Sequence, residues 1–255
     1  MAEYPESIVH KVALSCRILA MMGLVDGTTG HVSAKVPGSD QMYLRCRTKD
    51  EKGIEYTTDD AIHRVDLDGK LIEPADDCEV PNEYPIHGEI YKRNPEAGCV
   101  VHVHPLATMY CSITGIKLRP IFGAFSPEAM KLAANGIPLY ERSITLTDRE
   151  TTNDMLHVMG DSPVCMLKGH GLVVIGKTVE EATVRALHVE NLAKICWETA
   201  LSQRPINEID DADVQYFNRM ASKRAGQKSS GKPSHNEWLW KFYVEKLTEK
   251  EFGRR

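Results

Sequence analysis

The stretch Gly98-Cys-Val-Val-His-Val-His-Pro105 constrains this chain more than any other. Its apolar, β-branched residues read as a buried strand, and Pro105 cannot continue the ladder. Side chains alternate across a strand, so His102 and His104, two apart, project on one face. Two imidazoles then emerge side by side at the end of a core strand. Neutral imidazole is the commonest nitrogen ligand of borderline divalent metals, so this is metal-ligand geometry. Two histidines satisfied by hydrogen bonds at a strand end would give the same pattern, and the surrounding sequence has to decide.

Read outward from that strand, the chain alternates helices and short strands. Residues 7–22 place Ile8, Val12, Leu14, Ile18, Leu19 and Met22 at helical spacing, with Gly23 at the position of a C-terminal cap. A Gly-rich turn leads through Gly30 and His31 into the strand Val32–Val36, where backbone can approach a ligand closely; a plain helix-to-strand turn has the same signature. The spacing predicts a strand over Met42–Arg47 that carries Arg45 and Arg47 on one face, either a carboxylate grip or the wet face of an edge strand. Thr57–Asp60 reads as a turn or helix start, Ile62–Leu67 as a strand, and Asp68-Gly69 as a hairpin turn. Pro81–Arg93 reads as the front of a helix, with Glu83 at its N-terminal mouth and Ile86, Ile90 and Tyr91 inward. His87, one turn after Glu83, reads as a hydrogen-bonding neighbour of a metal site rather than a ligand. Helices follow over Leu106–Gly115, within Phe122–Gly136 and over Thr147–Met159, with a short strand near Pro138–Tyr140. Val164–Ile175 reads as two buried strands that meet at the Gly-flanked His170. Thr178-Val-Glu-Glu181 opens a capped helix. Residues 207–255 read as a polar linker, ending in a flexible Gly226–Pro233 tract, followed by the aromatic helix Trp238–Val244. His188 reads as structural.

Composition enters mainly as exclusion. A formal net charge of −5 in 255 residues supplies no basic face for nucleic acid. No apolar run approaches the length needed to cross a bilayer. The opening Met-Ala-Glu-Tyr-Pro-Glu is acidic and broken by proline, unlike a secretory leader. Seven cysteines without a Cys-x-x-Cys pair, several inside apolar runs, read as reduced thiols of a cytoplasmic protein.

Three histidines and a carboxylate, His102, His104, His170 and Glu83, would form an open divalent-metal site; closed structural zinc usually recruits thiolates, and no cysteine here is spaced to help. Taken together, Gly30-His-Val-Ser33, Glu83-x-x-x-His87, His102-Val-His104-Pro105 and Gly169-His170-Gly171-Leu172 make the sequence resemble the class II aldolase and adducin family from the first helix to the helix after His170. The resemblance implies an α/β fold: a three-layer α/β/α sandwich around a central, largely antiparallel β-sheet, in a single domain spanning 1–255. It implies a homo-oligomer, commonly a tetramer, with sites near subunit interfaces. It also implies one divalent ion per subunit (zinc or manganese, with cobalt or iron as variants) on His102, His104, His170 and Glu83, with Glu83 doubling as acid/base.

The departures from sugar-phosphate members point to the substrate. Those members have Gly-Asn where this chain has Gly30-His31, a Thr-Gly turn where it has Arg45–Lys52, and a Ser-Ser pair where it has Pro81-Asn82. Proline offers no N–H to a phosphate. A carboxylate-rich, non-phosphorylated small molecule suits His31, Ser33, Arg45 and Arg47 as substrate-binding residues. The form is similar to family decarboxylases acting on hydroxylated aromatic dicarboxylic acids. The expected function is therefore a metal-dependent carbon–carbon lyase, decarboxylating a hydroxyphthalate-like acid through a stabilised carbanion, with Glu83 and His31 as catalytic residues. The alternatives are a retro-aldolase for a non-phosphorylated hydroxy-oxo acid and a non-catalytic adducin-like scaffold. Scaffold members lose their ligands, whereas this chain keeps all four.

Overall fold

The computed structural model describes residues 7–73, 75, 77–226 and 234–253. Its centre is the His-x-His strand, β6 (Cys99–Val103). Before it in the chain come α1 (Ile8–Met21), β1 (His31–Lys35), β2 (Gln41–Arg45), β3 (Arg47–Thr48), β4 (Ile62–Asp66), β5 (Cys78–Glu79) and α2 (Tyr84–Arg93). After it come α3 (Leu106–Thr114), α4 (Pro127–Ala134), β7 (Leu139–Tyr140), α5 (Arg149–Met159), β8 (Val164–Leu167), β9 (Gly171–Gly176), α6 (Val179–Leu201), α7 (Asp211–Gly226) and α8 (His235–Phe252).

Seven strands form one sheet in the order β4-β2-β1-β6-β9-β8-β7, antiparallel throughout except for the β7–β8 pair. β6 is central and buried on both faces, which is why it reads as a continuous apolar run rather than an alternating one. Alternation still sorts its side chains. Cys99, Val101 and Val103 join the core under α1, α3, α4, α6 and α8, whereas Val100 lies in the opposite core, beneath α2 and α5. The result is the three-layer sandwich that the resemblance implies. Each fully buried aliphatic side chain is worth about 1.5–3 kcal/mol, so a one-residue slip that exchanged the two faces is strongly opposed. The register that fixes the core therefore fixes where His102 points.

Local sequence sets the helix starts. Ser7, Asp148 and Thr178 accept backbone N–H groups at the heads of α1, α5 and α6. At α6 the capping-box partner Glu181 takes the N–H of Lys177 at 2.7 Å, one residue earlier than the motif describes. The head of α3 is capped across space: Glu190 of α6 accepts the N–H groups of Ala107 and Thr108 and the Thr108 hydroxyl at 2.7–3.0 Å. A carboxylate there satisfies open donors and favours the helix dipole, and it holds the turn that carries His104 into α3.

Two readings of the sequence are revised. The strand expected over Met42–Arg47 breaks at Cys46, whose N–H bonds Ala61 O, and Arg47 belongs to a separate two-stranded ribbon with β5. Within 207–255, part of the expected linker is α7, packed on α4 with the Phe217 ring against Gly123. A mostly charged helix with few inward residues leaves a weak periodic signal, so it reads as linker. The expected flexible tract lies outside the described residues except for Gly226. α8 is integral to the core through Trp240 and Leu247, leaving Trp238 and Phe242 exposed. Among the described residues no helix is long and apolar enough to cross a membrane, and the cysteines form no disulfide.

Candidate metal centre

At the end of β6 the topology gathers four residues from three places in the chain. His102 sits on the strand, and His104 follows it by two, anchored by its N–H to Leu24 O at 3.0 Å. His170 arrives on the tight β8–β9 turn. That turn needs glycine: a Cβ on Gly171 would lie 2.3 Å from Val103 O and 2.7 Å from the His104 ring. Glu83 stands at the N-cap of α2 with its side chain turned away from the helix end, and its Oε1 accepts the Leu146 N–H at 2.9 Å.

Nε2 of His102 lies 3.1 Å from Nε2 of His104 and 3.4 Å from Glu83 Oε2, and Nε2 of His170 lies 3.6 Å from Glu83 Oε1. The three rings are mutually 4.9–5.0 Å apart, and one donor atom from each residue falls within 4.8 Å of all the others. Ligand atoms around a tetrahedral zinc-sized ion are roughly 3.3 Å apart. Proton bookkeeping points the same way. His102 Nδ1 faces the carbonyl of Leu172 at 3.2 Å, and a carbonyl only accepts, so that nitrogen carries the proton and Nε2 of the neutral ring is bare. A bare nitrogen facing a carboxylate oxygen has no hydrogen between them, and a cation could complete the cluster. The donor set, three nitrogens and one carboxylate, is one that could hold a divalent ion with positions left open.

The electrostatics follow from burial. Burial disfavours charge on Glu83, but the neighbouring His102 and His170 outweigh it and hold the carboxyl well below the usual carboxylate range. Burial, then His102 and His170, push His104 down to about 3.

One step deeper lies a second, closed constellation. His31 is the register partner of His102 across the β1–β6 pair, with ring centres 5.1 Å apart. Its Nδ1 is 2.6 Å from His87 Nε2; His87 Nδ1 is 2.6 Å from Ser33 Oγ; and Ser33 Oγ is 2.8 Å from the Tyr91 hydroxyl. Burial, with His102 as a lesser cause, pushes His87 down to about 3, and burial drives His31 well below the ordinary histidine range. Two periodicities meet here. His31 and Ser33 are two apart on one strand face, while Glu83, His87 and Tyr91 are four apart along one side of α2. Gly30 makes the entry possible, because at φ +76° a Cβ would sit 2.5 Å from Val25.

The other substrate-binding expectations are placed as follows. Ser33 is fully buried and bonded to His87 and Tyr91, so its hydroxyl faces the core rather than a cleft. Arg45 is buried too. Its guanidinium donates to Glu51 at 2.5 Å and reaches Thr28 O at 3.5 Å, while the same Glu51 oxygen takes the Gly53 N–H. Arg45 thus pins the loop before His31, and Arg47 lies on the separate β3–β5 ribbon, so the two arginines do not share one strand. Tyr91, Glu51 and Glu190 were not marked as site residues by the sequence. The i, i+4 spacing of His87 and Tyr91 was a usable signal for the first; the two glutamates act across 6 and 82–83 residues with no local pattern.

Comparison with known proteins gives the family and the fold. Residues 10–197 match the family model described as Class II Aldolase and Adducin N-terminal domain. The chain is 37% identical over 209 residues to a 3,4-dihydroxyphthalate decarboxylase of Arthrobacter keyseri, covering 80% of this chain and 83% of that protein. It is 41% identical over 191 residues to one of Terrabacter sp. (strain DBF63), covering 74% and 80%. Among solved structures, an aldolase II superfamily protein from Pseudomonas syringae superposes with a TM-score of 0.77 at 19% identity, over 96% of this chain and 92% of that one. The chain belongs to the class II aldolase and adducin family.

Proposed function

We propose that this protein is a divalent-metal-dependent carboxy-lyase that removes CO2 from a dihydroxyphthalate-like acid. The observation that carries the reading is the cluster of three imidazoles and a carboxylate at His102, His104, His170 and Glu83, with His102 turning a bare nitrogen into it. The names of the two bacterial relatives support the substrate class. Three nitrogens and one carboxylate suit zinc, with manganese the next choice. When bound, the cation would act as a Lewis acid, drawing electron density from a substrate oxygen so that the ring carbon can keep the electron pair as CO2 leaves.

The chain's own residues supply the rest. His102, His104, His170 and Glu83 hold the charge. His31, directly across from His102, faces a substrate placed over the centre. The carbon–carbon bond breaks, the pair stays on the ring carbon, and a proton first taken from a substrate hydroxyl replaces CO2 there; Glu83 and His31 Nε2 are the groups placed to pass it on. A sugar phosphate fits poorly, since the entry to α2 offers Pro81 in place of a backbone donor. Exposed Leu106 and Ile113 on α3, with Phe125, Trp238 and Phe242, support assembly as a homo-oligomer, with a tetramer expected from the family likeness. The unpaired thiols go with a cytoplasmic location.

The test is gas evolution. Purified protein loaded with zinc or manganese is given 3,4-dihydroxyphthalate and, separately, non-phosphorylated hydroxy-oxo acids. Stoichiometric CO2 from the first, abolished by chelation, is the expected result. Aldehyde from the second without CO2 from the first would assign a retro-aldolase instead.

A further inference from the structure

The closed chain behind His31 settles a question that the metal centre leaves open: which imidazole nitrogen carries its proton. The three contacts in series, 2.8, 2.6 and 2.6 Å long, each hold one hydrogen. The Tyr91 phenol is the end of the line. It is buried, and Ser33 Oγ is its hydrogen-bond acceptor among the described residues, so its O–H donates to Ser33. The Ser33 O–H then has His87 Nδ1 as its acceptor. With Nδ1 accepting, His87 carries its hydrogen on Nε2 and donates to His31 Nδ1. With its own Nδ1 accepting, His31 carries its hydrogen on Nε2. The reverse direction fails by count. If His31 Nδ1–H donated inward and His87 donated to Ser33, the one contact left, Ser33–Tyr91, could hold only one of the two hydroxyl hydrogens, stranding the other in the core, which costs about 1–3 kcal/mol. A doubly protonated His87 strands it in the same way. His31 Nε2 has no protein partner among the described residues, and it is not among the buried polar atoms that lack one, so it is the ring nitrogen that a bound molecule can reach.

We infer that Tyr91, Ser33 and His87 are positioning residues that lock His31 as a neutral Nε2–H donor aimed at an oxygen of the substrate. This deepens the carboxy-lyase reading and rests on it for the identity of that oxygen. A neutral donor needs no ionisation to act, and it is most useful where negative charge builds on a substrate oxygen as CO2 departs. The fixed tautomer also excludes His31 from the metal. Its outward nitrogen carries a hydrogen, whereas a ligand must offer a bare one, so His31 stays a donor although its ring sits nearly as close to His102 as the ligand rings do, 5.1 against 4.9 Å.

The experiment is a long-range proton–nitrogen NMR correlation on 15N-histidine protein loaded with zinc, with the His31 signal assigned by its loss in His31→Asn. The expected pattern for both His31 and His87 is a bare Nδ1 and a protonated Nε2. A His31 signal with the hydrogen on Nδ1, or an imidazolium pattern, overturns the inference. Tyr91→Phe and Ser33→Ala remove the directing donors, and in each the His31 signal is expected to move toward a tautomer mixture. CO2 release from 3,4-dihydroxyphthalate should fall about tenfold in kcat with KM nearly unchanged, and Ser33→Thr, which keeps the hydroxyl, should recover most of it. Unchanged His31 nitrogen shifts in both variants would also overturn the inference. The wild-type spectrum needs neither substrate nor variant. If it shows the expected tautomer in a protein that releases no CO2, the lock stands and the carboxy-lyase reading falls.

Discussion

Two groups of histidines meet where the adjacent strands β1 and β6 pair His31 with His102, and they differ in where their protons are. In the open group, His102, His104 and His170 turn nitrogens toward one another and toward Glu83, and the one ring whose proton can be located, His102, carries it away from the cluster. In the closed group, His31 and His87 meet at similar distance, yet every contact has a donor and an acceptor and the line ends on a phenol. The same residue type thus forms a place that could hold a cation and a place closed by its own hydrogen bonds. Position on the sheet alone does not distinguish them, because His31 and His102 are register partners. The partner of the inner nitrogen does: a carbonyl for His102, an imidazole nitrogen for His31.

That contrast can be broken most severely at the open group. His104→Ala removes a partly exposed ligand without opening the core, and it is expected to abolish stoichiometric metal binding and lower CO2 release about a thousandfold, several kcal/mol of charge stabilisation. Retained metal and activity would mean that the cluster is not the centre. The next effect sharpens the difference. His31→Phe should reduce kcat about a hundredfold with metal content unchanged, whereas His31→Asn, which keeps a neutral N–H donor, should lose about tenfold. Loss of metal in His31→Phe would place His31 in the open group after all.

Stability should show the contrast as a pH dependence. His87 is held to about 3 in the folded chain, against an ordinary value near 6.5 once unfolded. Between those values the unfolded chain binds a proton that the native chain does not, so stability is lost as pH falls from about 6.5 toward 3, at up to about 1.4 kcal/mol per pH unit for this group. Urea midpoints in chelator at pH 7 and pH 5 check the sign, and His87→Gln should flatten the slope by one proton. The smallest expected effect lies outside both groups: Glu190→Ala uncaps α3 and should cost about 1–2 kcal/mol in urea unfolding.

How much of this was legible in the sequence follows from the range over which each feature is encoded. The His-x-His strand, the Gly-framed His170 and Glu83 at a helix mouth are local patterns, and strand alternation or a turn suffices to aim each one. The sandwich was legible by resemblance. Ser33 and Arg45 were read as substrate contacts because a hydroxyl and a guanidinium are polar, but polarity does not say whether the partner is a ligand or another part of the chain. Tyr91 for Ser33 and Glu51 for Arg45 are tertiary partners, and their pairing turns both residues inward. α7 was missed for the converse reason: few of its residues face the core, so it left little periodic trace.

The central claim is that His102, His104, His170 and Glu83 share one divalent cation. Its most direct test is zinc titration by calorimetry, with the bound metal counted by elemental analysis, on wild type and on a His102→Ala, His104→Ala double variant verified as folded by circular dichroism. The account predicts a single tight site per chain in wild type and none in the variant. A folded double variant that binds zinc as wild type does would contradict it.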